Sequence, residues 1–112
     1  MWGRAAEVAL LRQFSTNFKE RVREQGMVTT DGTVGIIATG CLDQHLVQQT
    51  LSTLPEGTWE LVCHPGYMDS DLQNAGTRLL QSRQVELQAL TSEQARQALR
   101  QCGIELISYA DL

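Results

Sequence analysis

The 112-residue sequence is short of several things whose absence narrows its function: aromatic residues make up only 5%, there are two prolines and two histidines, and the formal charge is -4. Without a basic field, counterion release has little to act through, so nucleic acid is a disfavoured partner. The three cysteines, Cys41, Cys63 and Cys102, are odd in number, far apart and in no C-x-x-C or zinc-like spacing. Neither a disulfide framework nor a metal knuckle is implied, and a reducing compartment fits. No apolar run approaches the roughly 20 residues of a membrane helix. The first residues mix Arg4, Glu7 and Arg12 into a helical pattern in place of an apolar signal core, so a cytoplasmic location is expected. Gly32, Gly35 and Gly40 form no G-x-G-x-x-G and precede no P-loop lysine; they read as turn residues and not as a phosphate cradle.

What is present is enough apolar content, about two-fifths, for one small core. Over Trp2 to Gln25 the residues Val8, Leu11, Phe14, Phe18 and Val22 step by three or four, the pattern of an amphipathic helix, with Gly26 placed for a left-handed cap. Val34 to Ala38 is expected to be a strand. A second helical stripe, Leu42, Leu46, Val47, Leu51 and Leu54, has Asp43 near its positive end and is closed by Pro55 and Gly57. Thr58 to Cys63 reads as the next strand, and a loop runs from Pro65 to about Gly76. Arg78 to Leu90 reads as a helix. Thr91-Ser92-Glu93-Gln94 has the form of a capping box for a last helix to Cys102. Gly103 stops it, and Ile104 to Ser108 is expected as a third strand. Alternating helices and strands argue for an α/β fold with parallel strands and crossover helices. Three parallel strands leave unpaired edges and uncovered apolar faces, so residues 1–112 read as a single partial domain of a larger fold.

The chemistry concentrates in Trp59-Glu60-Leu61-Val62-Cys63-His64-Pro65-Gly66-Tyr67. Proline restricts His64 to extended backbone and stops the strand, while Gly66 permits a sharp turn. His64 then stands at the C-terminal end of a parallel strand, where α/β folds place active sites. Cys63 points to the opposite face and reads as a packing residue. Glu60 shares the face of His64 but lies roughly 13 Å away, and is expected to be hydrogen-bonded in the interior. Asp69-Ser70-Asp71 reads as turn chemistry before a metal pair. Arg78 and Arg83 are expected on a solvated face or in a salt bridge to Glu86, and His45 is expected to be exposed or capping.

The stretch Glu60 to Tyr67 resembles the C-terminal signature of the YdjC-like carbohydrate deacetylases. So do Thr29-Thr30-Asp31 with Gly35, Leu54-Pro55-Glu56-Gly57-Thr58, Ser82-Arg83-Gln84-Val85-Glu86-Leu87 and Gly103 to Tyr109, in that family's order. The resemblance implies the C-terminal part of a distorted (β/α) barrel that hydrolyses the N-acetyl amide of amino sugars, as in N-acetylated oligosaccharides. It also implies a divalent metal, Mg or Zn, held by an Asp-Asp pair and a His-rich motif near the start of the family's sequence. Neither occurs in these residues, whose histidines are His45 and His64 alone. The same resemblance implies His64 as the general acid or transition-state stabiliser, and Tyr67, Asp69 and Thr30 as candidates for the sugar-facing wall; no residue of this chain is assigned to metal, and the implied partner is the missing N-terminal half. Two rival readings are a non-catalytic module that docks through strand edges onto a partner or onto itself, and an inert truncated fragment.

Overall fold

The computed structural model describes residues 3–112. Helix α1 spans Arg4–Glu24 and strand β1 Gly32–Val34. Helix α2 (Gln44–Thr53) leads to strand β2 (Trp59–Leu61), and three helices follow: α3 (Ser70–Asn74), α4 (Gln81–Thr91) and α5 (Glu93–Gln101). A 3-10 turn occupies Tyr109–Asp111. β1 and β2 pair in parallel with Gly32 opposite Trp59 and Val34 opposite Leu61. α2 is the crossover between them, since parallel neighbours cannot be joined by a tight turn. The arrangement is α/β; barrel closure requires more strands than the described residues supply.

Local chemistry sets each boundary. α1 ends in a Schellman motif: Gly26 at φ 71° lets its own N–H reach the Arg23 carbonyl and the Met27 N–H reach that of Val22. α5 ends the same way, with Gly103 donating to Arg100 and Ile104 to Leu99. Asp43 caps α2 by accepting from the Leu46 N–H at 2.9 Å. Leu42 before that cap and Val47 in the first turn both enter the buried cluster, the arrangement of a hydrophobic staple.

The core is small: Leu42, Val47, Leu51, Ala89 and Ala95, lined by the half-buried Leu54, Leu61, Leu90 and Leu99. α2 packs on α4 and α5, and α4 on α5. Leu42 and Val47, at 2% and 1% exposure, each contribute about 1.5–3 kcal/mol by leaving water.

Three expectations need correction. The first strand ends at Val34 and does not run to Ala38. Gly35 takes φ 94°, and turn hydrogen bonds from Ala38 to Gly35 and from Thr39 to Ile36 replace the ladder. Ile104 to Ser108 forms no strand: the Ile104 N–H is taken by the cap of α5, and Leu106 and Ile107 stay exposed. The cap of α5 is Ser92, whose hydroxyl accepts from the Ala95 N–H at 3.1 Å, while Thr91 is still the last residue of α4. Three residues after Ser92 stands an alanine, so no reciprocal side-chain bond closes a capping box.

Candidate functional site

β2 delivers the site. Its pairing extends one bond past Leu61, through Val62 N–H to the Val34 carbonyl at 2.9 Å, and the chain then runs through Cys63 to His64. The His64 N–H donates to Glu86 Oε2 at 2.5 Å. Two residues on, the Gly66 N–H donates to the Arg83 carbonyl at 3.1 Å. α4 thus holds the His64-Pro65-Gly66 segment on both sides of the proline. The His64 ring is half-buried, and its Nδ1 is a buried polar atom with no hydrogen-bond partner among the described residues. A buried ring nitrogen left unpaired is disfavoured unless something else completes it.

Glu86 holds this segment from the interior of α4. It is 1% exposed, and its second oxygen, Oε1, accepts from the Gly40 N–H at 3.3 Å. Arg83 makes no bridge to it; the Arg83 Nε instead donates to the Leu79 carbonyl of the preceding turn. The signal was available in the spacing, since Glu86 lies seven residues after Leu79 and three before Ala89, inside the apolar stripe of α4. Burial first, and then the charge of Glu86, push the Cys63 thiol above its ordinary range. Cys63 is therefore a neutral packing residue at the edge of the core, as its place on the strand suggested.

Tyr67 follows in the same loop and is 77% exposed. Asp69 caps α3 through Oδ1, which accepts from the Leu72 N–H at 2.9 Å, so Asp69-Ser70-Asp71 opens a short helix within the expected loop. Thr30 is not brought to this group. It precedes β1, about level with Gly57 in the parallel register, which puts it roughly 20 Å from His64 along the strands. It lines a separate open groove of about 870 Å³ together with Leu54, Trp59, Leu99, Ile104 and Tyr109. That groove runs along β2 from its N-terminal side, and no histidine lines it. Glu60 is half-buried and no hydrogen bond to its carboxylate is formed among the described residues, contrary to expectation. His45 is exposed on α2. Among the described residues no three His, Cys, Asp or Glu side chains converge in a group that could hold an ion. Nor is any helix among them long and apolar enough to cross a membrane.

The chain is α/β and places His64 just beyond the C-terminal end of a parallel strand. The family model described as YdjC-like protein matches residues 2–101, and the chain belongs to that family. A carbohydrate deacetylase of Thermoanaerobacter pseudethanolicus is 30% identical over 94 residues, covering 84% of this chain and 37% of that protein. A chitooligosaccharide deacetylase of Proteus mirabilis is 30% identical over 97 residues, covering 84% of this chain and 38% of that protein. A carbohydrate deacetylase of Clostridium beijerinckii is 36% identical over 53 residues, covering 47% of this chain and 21% of that protein. The chain therefore spans under two-fifths of the length of the curated relatives it matches. No solved structure matches it.

Proposed function

We propose that this chain supplies the C-terminal part of a metal-dependent carbohydrate deacetylase, a (β/α) barrel acting on N-acetyl groups of amino-sugar oligosaccharides, with His64 as the general acid. The observation that carries the reading is a buried Nδ1, unpartnered among the described residues, on a histidine fixed at a strand end in a chain of the YdjC-like family. In amide hydrolysis a water oxygen bonds to the acetyl carbon, the C–N bond then breaks, and the departing nitrogen takes a proton as acetate forms. Histidine is the side chain that gives and regains a proton near neutral pH. Tyr67, exposed three residues beyond His64, offers a ring face and a hydroxyl to the sugar, and Asp69 keeps Oδ2 free of any hydrogen bond among the described residues. In this reading the divalent Mg or Zn ion and the activation of water are supplied by a polypeptide that carries the family's Asp-Asp and His-rich motifs. Three unpaired cysteines suit a cytoplasmic setting.

The test is release of free amine from N-acetylglucosamine oligomers. The chain alone, with Mg²⁺ or Zn²⁺, is expected to give none; with a polypeptide carrying the family's Asp-Asp and His-rich motifs, activity appears. His64→Ala then lowers kcat about 10²–10⁴-fold, the usual contribution of a general acid. Full activity of the isolated chain, or an unimpaired His64→Ala enzyme, would sink the reading. The second reading, a non-catalytic docking module, is favoured by the exposed Leu11, Phe14 and Phe18 of α1. A chain that stays monomeric and folded at all concentrations on size exclusion would dispose of it.

A further inference from the structure

We propose that Glu86 is a positioning residue for His64: one carboxylate oxygen grips the His64 peptide N–H, the other the Gly40 N–H, and together they set the direction in which the imidazole leaves the end of β2. The proposal rests on the general-acid reading of His64 for its catalytic half, but the grip itself is independent of that reading.

A carboxylate in an apolar interior is disfavoured unless its oxygens are paired. Glu86 is among the three most deeply buried large side chains, beside Leu42 and Val47. Among the described residues it has no cationic partner, and the ion pairs formed there join Glu93 to Arg96 and Arg100 on α5. Its compensation is the pair of backbone amides. A leucine would fill the same space in α4 without desolvating a charge. The placement of a carboxylate is therefore explained by what it holds.

What it holds is the two turns that follow the two parallel strands. Gly40 closes the turn after β1 and His64 ends the run after β2, and the two bonds are unequal, 3.3 Å against 2.5 Å, with the shorter on His64. An amide bound by a charged acceptor is held more tightly than one in a neutral pair. Pro65 restricts His64 from the following side, and the Gly66 N–H is fixed one helical turn away on the Arg83 carbonyl. With the backbone of His64 constrained before and after, α4 sets the exit direction of a side chain whose Nδ1 forms no hydrogen bond among the described residues.

Glu86→Gln and Glu86→Asp test this in two stages. In the ¹⁵N-labelled 112-residue chain, the His64 amide proton is expected to resonate far downfield, and to move upfield in both variants. Gln loses the charge and Asp the reach, while the amide dispersion of the rest of the chain serves as the control for an intact fold. An unmoved His64 amide in Glu86→Gln overturns the grip. In the complemented deacetylase, Glu86→Gln is expected to lower kcat about 100-fold with KM little changed, the scale on which small misplacements of a reacting group act. In a His64→Ala background the same substitution should cost nothing further. A loss as large in that background overturns positioning and leaves a merely structural role. If His64→Ala is itself fully active, the deacetylase reading fails and positioning falls with it, and the amide resonance shows that the grip was not at fault.

Discussion

α1 and α2 carry the same kind of apolar stripe and meet opposite fates. α2 turns Val47 and Leu51 into the core and packs on α4 and α5, whereas α1 leaves Phe14 and Phe18 at 65% and 68% exposure and donates from Lys19 Nζ to the Asp31 carbonyl. Helical period specifies which face of a helix is apolar; it does not specify what covers it. A row of large apolar side chains on an open helix face marks an interaction surface. In a chain that spans under two-fifths of its relatives' length, that surface accords with the proposed assembly from two parts.

The comparison is broken most severely from the α2 side. Leu42→Ala removes a fully buried side chain from the staple that seats α2, and is expected to destabilise the chain by about 2–5 kcal/mol, read from urea unfolding followed by circular dichroism. A loss below about 1 kcal/mol would mean that the core around α2 is as loosely made as the surroundings of α1.

Next in size is Gly35→Ala, at the hinge where β1 leaves the sheet. The added Cβ would stand 2.5 Å from the Val62 carbonyl oxygen, at a φ of 94° that side chains rarely adopt. The expected loss is about 1–3 kcal/mol, with broadening of the Val34 and Val62 amides by NMR. Unchanged stability would show that the β1 turn is free to rearrange and does not fix the approach to His64.

Cys63 sharpens the contrast within one residue type. Burial, and then the charge of Glu86, raise its pKa, so its neutral thiol favours the folded state at ordinary pH. That contribution is fully present below the thiol's unfolded pKa and is lost as pH rises through the folded value. The chain should therefore lose stability in the alkaline range, and Cys63→Ala should flatten that limb of the pH profile. At neutral pH, iodoacetamide should label the exposed Cys41 and Cys102 well before Cys63. Equal labelling of all three would contradict the packing given to Cys63.

Much of this arrangement was legible in the residues. Glycines at helix ends announced both Schellman motifs, Asp43 announced the start of α2, and His-Pro-Gly announced the end of β2, because each signal acts within a few residues of where it is written. What was not legible depends on residues distant in the chain. Ile104 to Ser108 has the composition of a strand, but a strand forms only against a partner edge, and the described residues bring none into register with it. The burial of Glu86 is written in the apolar stripe of α4, but its partners are not, because the Gly40 and His64 amides that donate to it lie 46 and 22 residues away. Thr30 and His64 both sit beside strands, and only the parallel register shows that they are at opposite ends.

The smallest effect belongs to α1, and its smallness is the point. Phe14→Ser and Phe18→Ser substitute side chains that are already mostly in water, so in the 112-residue chain the pair should change unfolding free energy by no more than about 0.5 kcal/mol each, as for surface positions generally. Joined to the complementing polypeptide, the same substitutions would remove two aromatic anchors from the proposed contact, where truncating a central aromatic commonly weakens binding by about 2 kcal/mol or more. The measurement is therefore a ratio: stability of the chain alone against affinity for the complement, by urea unfolding and by titration calorimetry. A large loss of stability in the chain alone would place the α1 stripe inside this chain's own core and erase the contrast with α2. No change in either quantity would show that the face of α1 is not part of the assembly, and would require the proposed contact to lie on the open strand edges instead.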